Sequence, residues 1–221
     1  MQALKDATQF RLLPVVVIDR PEDGLPLAEA LMAGGLPVAE VTFRTEAAEE
    51  AIRLMARRFP DMLVGAGTVL TADQAERAMA AGARFLVAPG YNPANIEFCA
   101  KRAFPFIPGV NSPSGIEVAL ANGLKLLKFF PAEASGGLKF IDAVSQPYRE
   151  ARFAATGGIN TANLASYLKR RAVAACGGSW MVDPKLIRTR NFTEIARLTA
   201  DAMRLVAEAT AAGVQVRSHT E

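Results

Sequence analysis

The sequence predicts an α/β protein built as a single (β/α)8 TIM barrel over residues 1–221, with an extra N-terminal helix. Three observations predict it. Short apolar, β-branched runs alternate strictly with runs rich in Ala, Leu, Glu and Arg, and eight strand–helix units can be marked along the chain. Such alternation implies parallel strands joined by right-handed crossovers. The 221 residues, 51% of them hydrophobic, suffice for one well-buried core. An open doubly wound sheet is the structural alternative. It would carry a glycine-rich turn after its first strand, but residues 19–24 read DRPEDG.

The elements follow in order. A helix at about Ala3–Phe10 precedes the first strand, Leu12–Ile18. The remaining strands are Val38–Phe43, Leu63–Val69, Phe85–Pro89, Phe106–Val110, Leu126–Phe130, Arg152–Thr156 and Ala172–Cys176. The helix Leu25–Ala33 stops at Gly34-Gly35, a C-cap signal. Ala47–Arg58 takes Thr45 as its candidate N-cap and has Pro60 beyond its end. Ala72–Ala81 is capped by Thr71 and ends at Gly82. Ala94–Arg102, Ser114–Ala121, Leu138–Val144, Asn163–Lys169 and Phe192–Ala211 complete the set, leaving a short C-terminal tail.

Composition removes several function classes. The net charge of +3 is weak support for a polyanion partner, and the basic groups Arg57-Arg58 and Lys169-Arg170-Arg171 read as solvated helix faces, so no nucleic acid is expected. Two cysteines, Cys99 and Cys176, give neither a disulfide framework nor metal spacing. The single histidine, His219, lies in the tail RSHTE, so no His-based triad or multi-His metal site can be built within one chain. No secretory or membrane-spanning segment is visible, and a reduced, cytoplasmic protein is expected.

The informative stretch is LLKFFPAE, 126–133, with a lysine inside an apolar strand. Leu126, Lys128 and Phe130 share one face and Leu127 and Phe129 the other. In VAEVTFRTE, 38–46, Glu40, Thr42 and Arg44 share a face. The outer face of a barrel strand packs on helices, so Lys128 and Glu40 must point inward. The second and sixth strands lie across the barrel, which lets the two groups converge. Burial disfavours the ammonium, and a neutral lysine can attack a ketone to form an imine, an electron sink for breaking the adjacent C–C bond. Glu40 is then the candidate acid/base, and Arg44 can bind a carboxylate bidentately. The alternatives are a purely structural Lys–Glu pair and a rim salt bridge of Arg44 with Glu46.

Three glycine-bearing strand ends remain. In GAGTV, 65–69, small residues before Thr68 would let a ligand approach. TGGIN, 156–160, and GGSW, 177–180, follow the seventh and eighth strands, where barrels commonly hold phosphate in a nest of backbone N–H groups. Ser179 would add a hydroxyl, and Trp180 reads as packing. Tight turns without a ligand are the alternative.

These motifs have a likeness. From about Leu12 to Val182 the chain resembles the 2-keto-3-deoxy-6-phosphogluconate (KDPG) aldolases, which also act as 4-hydroxy-2-oxoglutarate aldolases. EVTFRTE, VGAGTVL, APG, IPGV, LKFFPAE, TGGI and GGSW occur in family order. The resemblance implies a class I aldolase that needs no metal or cofactor, usually a homotrimer. It would cleave KDPG to pyruvate and glyceraldehyde 3-phosphate in the Entner–Doudoroff pathway. By motif it makes Lys128 the Schiff-base residue and Glu40 the general acid/base. Arg44 and Thr68 would bind the pyruvyl carboxylate, Phe130 would line the pyruvate pocket and Pro89 would shape its floor. Thr156 would touch the substrate hydroxyl region, and Gly157, Gly158, Gly177, Gly178 and Ser179 would hold the phosphate. NSPSGIE, 111–117, departs from the family variants and could place Ser112 or Ser114 over the site. The KFFPAE and GGSW wording favours the gluconate over the galactonate epimer. A phosphosugar isomerase or epimerase, and a non-catalytic phosphosugar-binding barrel, are the competing readings on the same fold.

Overall fold

The computed structural model describes residues 2–215, with side chains to 211. His219 and the end of the expected tail lie outside the described residues. The chain runs α1 (Gln2–Gln9), β1 (Leu12–Val16), α2 (Gly24–Ala33), β2 (Val38–Thr42), α3 (Ala48–Arg58), β3 (Leu63–Gly67), α4 (Ala72–Ala80), β4 (Leu86–Val87), α5 (Pro93–Lys101) and β5 (Phe106–Ile107). It continues through β6 (Gly109–Val110), α6 (Pro113–Ala121), β7 (Leu126–Phe129), α7 (Gly137–Val144), β8 (Arg152–Thr156), α8 (Leu164–Leu168), β9 (Val173–Gly178), α9 (Pro184–Arg188) and α10 (Phe192–Gln215).

All strand pairs are parallel, in the order β5-β4-β3-β2-β1-β9-β8-β7-β6. The two ends of this nine-segment sheet are halves of one strand, parted at Pro108. Proline has no N–H for the ladder. Its carbonyl still accepts from the Lys128 N–H at 2.8 Å, so the sheet closes on itself as the predicted eight-stranded barrel.

Local chemistry sets the helix starts. Asn92-Pro93, Ser112-Pro113 and Asp183-Pro184 each place a capping oxygen before a proline in the first turn. Thr71 caps α4 as expected, accepting from the Gln74 N–H at 3.1 Å. Thr45 does not cap α3. That helix begins after Ala47 with no side-chain cap, and the Thr45 hydroxyl instead donates to the Ile18 carbonyl. The short helix α9 adds to the set expected from sequence periodicity. Outward-facing β7 residues pack as the alternation requires: Phe129 stacks on Phe140 of α7 at 4.8 Å between centroids and meets Phe153 edge-on. Cys99 and Cys176 are buried and unbridged. Among the described residues, no helix is long and apolar enough to cross a membrane.

Candidate active site

β2 and β7 carry Glu40 and Lys128 into the barrel from opposite sides, with 0% and 4% exposure. The Lys128 Nζ donates to Glu40 Oε1 at 2.9 Å, and Glu40 Oε2 is buried without a partner. A buried carboxylate oxygen without a donor is costly. Here it leaves one oxygen beside the amine able to take or give a proton. The Phe130 ring centroid lies 5.4 Å from Nζ and walls the lysine on its apolar side.

Gly67 on β3 makes the position of Glu40 possible. A Cβ at residue 67 would stand 2.8 Å from Glu40 Cδ. Gly65 serves the Phe85 ring in the same way, with Cδ2 at 2.6 Å. The small residues of GAGTV thus admit a ring and the carboxylate, which corrects the expectation that they make room for a ligand. Thr68 itself has φ +54°, a left-handed conformation that β-branched residues avoid. Such strain collects at functional positions.

Arg44 and Thr68 leave adjacent strand ends, since Thr42 pairs with Gly67 and the Phe43 N–H donates to the Gly67 carbonyl. The Arg44 Nε donates to the Thr42 hydroxyl at 3.2 Å, and that hydroxyl donates to the Val16 carbonyl at 2.7 Å. Arg44 makes no ion pair with Glu46, so the rim salt bridge is not formed, and its outer nitrogens meet no carboxylate among the described residues. Two residues that sequence reasoning missed hold the Thr68 turn. Asn95, fully buried, donates to the Val69 carbonyl at 3.2 Å, and Asn92 donates to the Leu70 carbonyl at 3.1 Å. Both occur in the helix-start string NPAN, which signals a cap but no long-range contact.

Pro89 and Phe130 line one cavity of about 350 Å³ together with Gly90, Val110, Asn111 and Ser112. The Ser112 hydroxyl accepts from the Gly115 N–H at 3.2 Å and serves as a helix cap, and Ser114 is exposed.

The remaining predicted residues gather at the ends of β8 and β9, where Thr156 pairs with Gly177. Gly157 and Gly158 have φ of +100° and +83°. Gly177 and Gly178 lie inside β9, not in a turn after it, which corrects the expected boundary. A Cβ there would meet Thr156 Cγ2 at 2.9 Å or Trp180 Cη2 at 2.8 Å. Among the described residues, the N–H groups of Gly157, Gly158, Ser179 and Trp180 donate to no backbone carbonyl. Beside them the buried Tyr167 hydroxyl donates to Glu133, and its phenol is pushed up, first by burial and then by that bond. No group of three or more His, Cys, Asp or Glu among the described residues is placed to hold a metal.

The family model described as KDPG and KHG aldolase matches residues 4–198. The chain belongs to that family. It is 46% identical over 205 residues to the 2-dehydro-3-deoxy-phosphogluconate aldolase of Haemophilus influenzae, covering 93% of this chain and 97% of the relative. It is 40% identical over 192 residues to the KHG/KDPG aldolase of Escherichia coli K12, covering 87% and 90%. The KDPG aldolase of Legionella pneumophila, solved with pyruvate captured at low pH as a covalent carbinolamine intermediate, superposes with a TM-score of 0.87 at 42% identity, covering 91% and 97%. Family members are lyases on this barrel.

Proposed function

We propose that the protein cleaves KDPG to pyruvate and glyceraldehyde 3-phosphate through a Schiff base on Lys128, and that it also cleaves 4-hydroxy-2-oxoglutarate to pyruvate and glyoxylate. The observation that carries this reading is the buried Lys128–Glu40 contact with its spare carboxylate oxygen. The covalent carbinolamine that pyruvate forms in the Legionella pneumophila aldolase supports the same chemistry.

In this mechanism Lys128 gives a proton to Glu40 and its amine attacks the C2 ketone. The carbinolamine hydroxyl leaves as water with a proton from Glu40, forming an iminium. Glu40 then removes the C4 hydroxyl proton, the C3–C4 electron pair flows into the iminium, and the aldehyde departs. The enamine is protonated at C3, and hydrolysis frees pyruvate and the amine. Arg44 and Thr68 bind the pyruvyl carboxylate, with Thr42 setting the Arg44 fork. Phe130 and Pro89 frame the pyruvyl methyl end, and Thr156 meets the substrate hydroxyls. The free N–H groups of Gly157, Gly158, Ser179 and Trp180 suit a phosphate, and Gly177 and Gly178 let Thr156 and Trp180 close in beside it. We also place the protein in the cytoplasm as a homotrimer, a state that sedimentation would check.

Borohydride with pyruvate tests the reading. A reduced pyruvyl adduct on Lys128, located by mass spectrometry, is expected. An isomerase or a binding barrel would leave none. Lys128→Ala should lower aldol cleavage roughly 10³-fold or more, since a nucleophile and its partners act as a unit. Lys128→Arg should fail as well, because guanidinium stays protonated. Activity should persist in a strong chelator. Its loss, with recovery on adding a divalent ion, would refute the metal-independent class.

A further inference from the structure

Arginines on this surface are commonly matched by acids. Arg53 holds Glu49 and Glu50, Arg77 holds Glu49, Arg170 holds Asp142, and Arg197 holds Glu194 and Asp201. Two cavities are lined by three arginines and no carboxylate. In one, Arg53 beside Arg57 and Arg84 is already paired with Glu49 and Glu50. In the other, no arginine has an acid partner among the described residues. This second cavity has a volume of about 480 Å³ and lies where α7 ends and β8 and β9 begin, at the end of the strands opposite the aldol site. Arg149, Arg152 and Arg171 line it with Gln146 and Tyr148, and no carboxylate does. The acids closest in sequence are engaged elsewhere: Glu150 with Lys125 at 2.6 Å, and Asp142 with Arg170 at 3.0 Å. The Tyr148 hydroxyl is given to Glu117.

Arg152 is half-buried, and its Nη1 donates to the carbonyls of Arg149 and Ala151, both at 2.9 Å. Those two bonds tether the guanidinium in the groove instead of letting it swing into solvent. Its remaining N–H groups have no acceptor among the described residues. A fixed fork of this kind matches a carboxylate or phosphate bidentately. Three cations around one concavity repel each other when it is empty and concentrate anions within it. The volume falls in the range of small-molecule sites.

We propose that this groove binds a small multivalent anion bearing two or more phosphate or carboxylate groups, at a site separate from the aldol centre. Three point charges around one cavity favour a ligand with several anionic groups over a monoanion, and the Gln146 amide can donate to the oxygens between them, whereas the Ser145 hydroxyl is given to the Ile141 carbonyl at 2.6 Å.

Titration calorimetry on the full-length protein tests this, with pyrophosphate and citrate as probes and acetate as the monovalent control. Both probes should bind, and more weakly as salt rises. The double variant Arg149→Ala/Arg171→Ala should lose at least tenfold in affinity, while Ser179→Asp at the other end should not. Both arginines are exposed, so aldol kcat/KM of the double variant should match wild type and show it folded. Should that variant melt early, Arg171→Glu alone supplies the same comparison. No binding to the wild type, equal affinity in the arginine variants, or loss only in Ser179→Asp would each overturn the proposal.

Discussion

Gly157–Gly158 and Gly177–Gly178 stand side by side at neighbouring strand ends, and as TGG and CGG they look interchangeable in the sequence. In the structure they are opposites. The first pair turns the chain through left-handed backbone and leaves its N–H groups without carbonyl partners. The second pair is regular strand, and its missing side chains are filled by Thr156 and Trp180. Glycine therefore carries two messages, a backbone geometry or a close neighbour. Only the first creates an anion nest.

Substitution separates the two. Gly177→Ala should have the largest effect on stability, because its methyl would stand 2.9 Å from Cγ2 of the buried Thr156. Overpacking of this kind costs about 1–3 kcal/mol, and each kcal/mol lowers the melting temperature by about 2–4 °C in a chain of this size. A variant melting with the wild type would refute close approach at this strand end.

Gly157→Ala should cost less, about 1–2 kcal/mol for a left-handed residue with a side chain. The new methyl would stand 3.1 Å from the Pro131 Cα, a contact relieved by a shift of a few tenths of an ångström. Urea denaturation of both variants checks the order, and a larger loss for Gly157→Ala would reverse the comparison.

Ser179→Asp should change stability least, by no more than about 0.5 kcal/mol at an exposed position. It places a carboxylate beside the free N–H groups, so kcat/KM for KDPG should fall about tenfold, equivalent to about 1.4 kcal/mol. Cleavage of 4-hydroxy-2-oxoglutarate should fall less, and pyruvate trapping on Lys128 should be unchanged. Equal losses in all three assays would place the phosphate elsewhere.

Much of the fold is legible in the sequence. Strand–helix alternation is a repeated signal, and the barrel follows from it. The inward lysine is legible because period two leaves an interior residue nowhere else to point. Pro108 is hidden because a strand with one missing donor still reads as a strand when its neighbours are Phe106, Ile107 and Val110. The α9 turn is hidden by its length, five residues, too short for periodicity. The chain from Val16 through Thr42 to Arg44, and the grip of Asn95 on the Thr68 turn, join residues far apart in sequence. No local pattern encodes such contacts. The left-handed Thr68 is equally invisible, because a threonine there argues against the conformation it adopts.

The contact between Gly67 and Glu40 has a consequence for descent. The carboxyl group of residue 40 occupies the space that a side chain at residue 67 would need. The two positions are therefore epistatic. An alanine at 67 would be tolerated only in a background where residue 40 had already been shortened, and that background has lost the carboxyl group that faces Lys128. Mutational paths through a larger residue 67 are closed from the active side, and the glycine is kept by the acid across the strand rather than by any requirement of its own backbone.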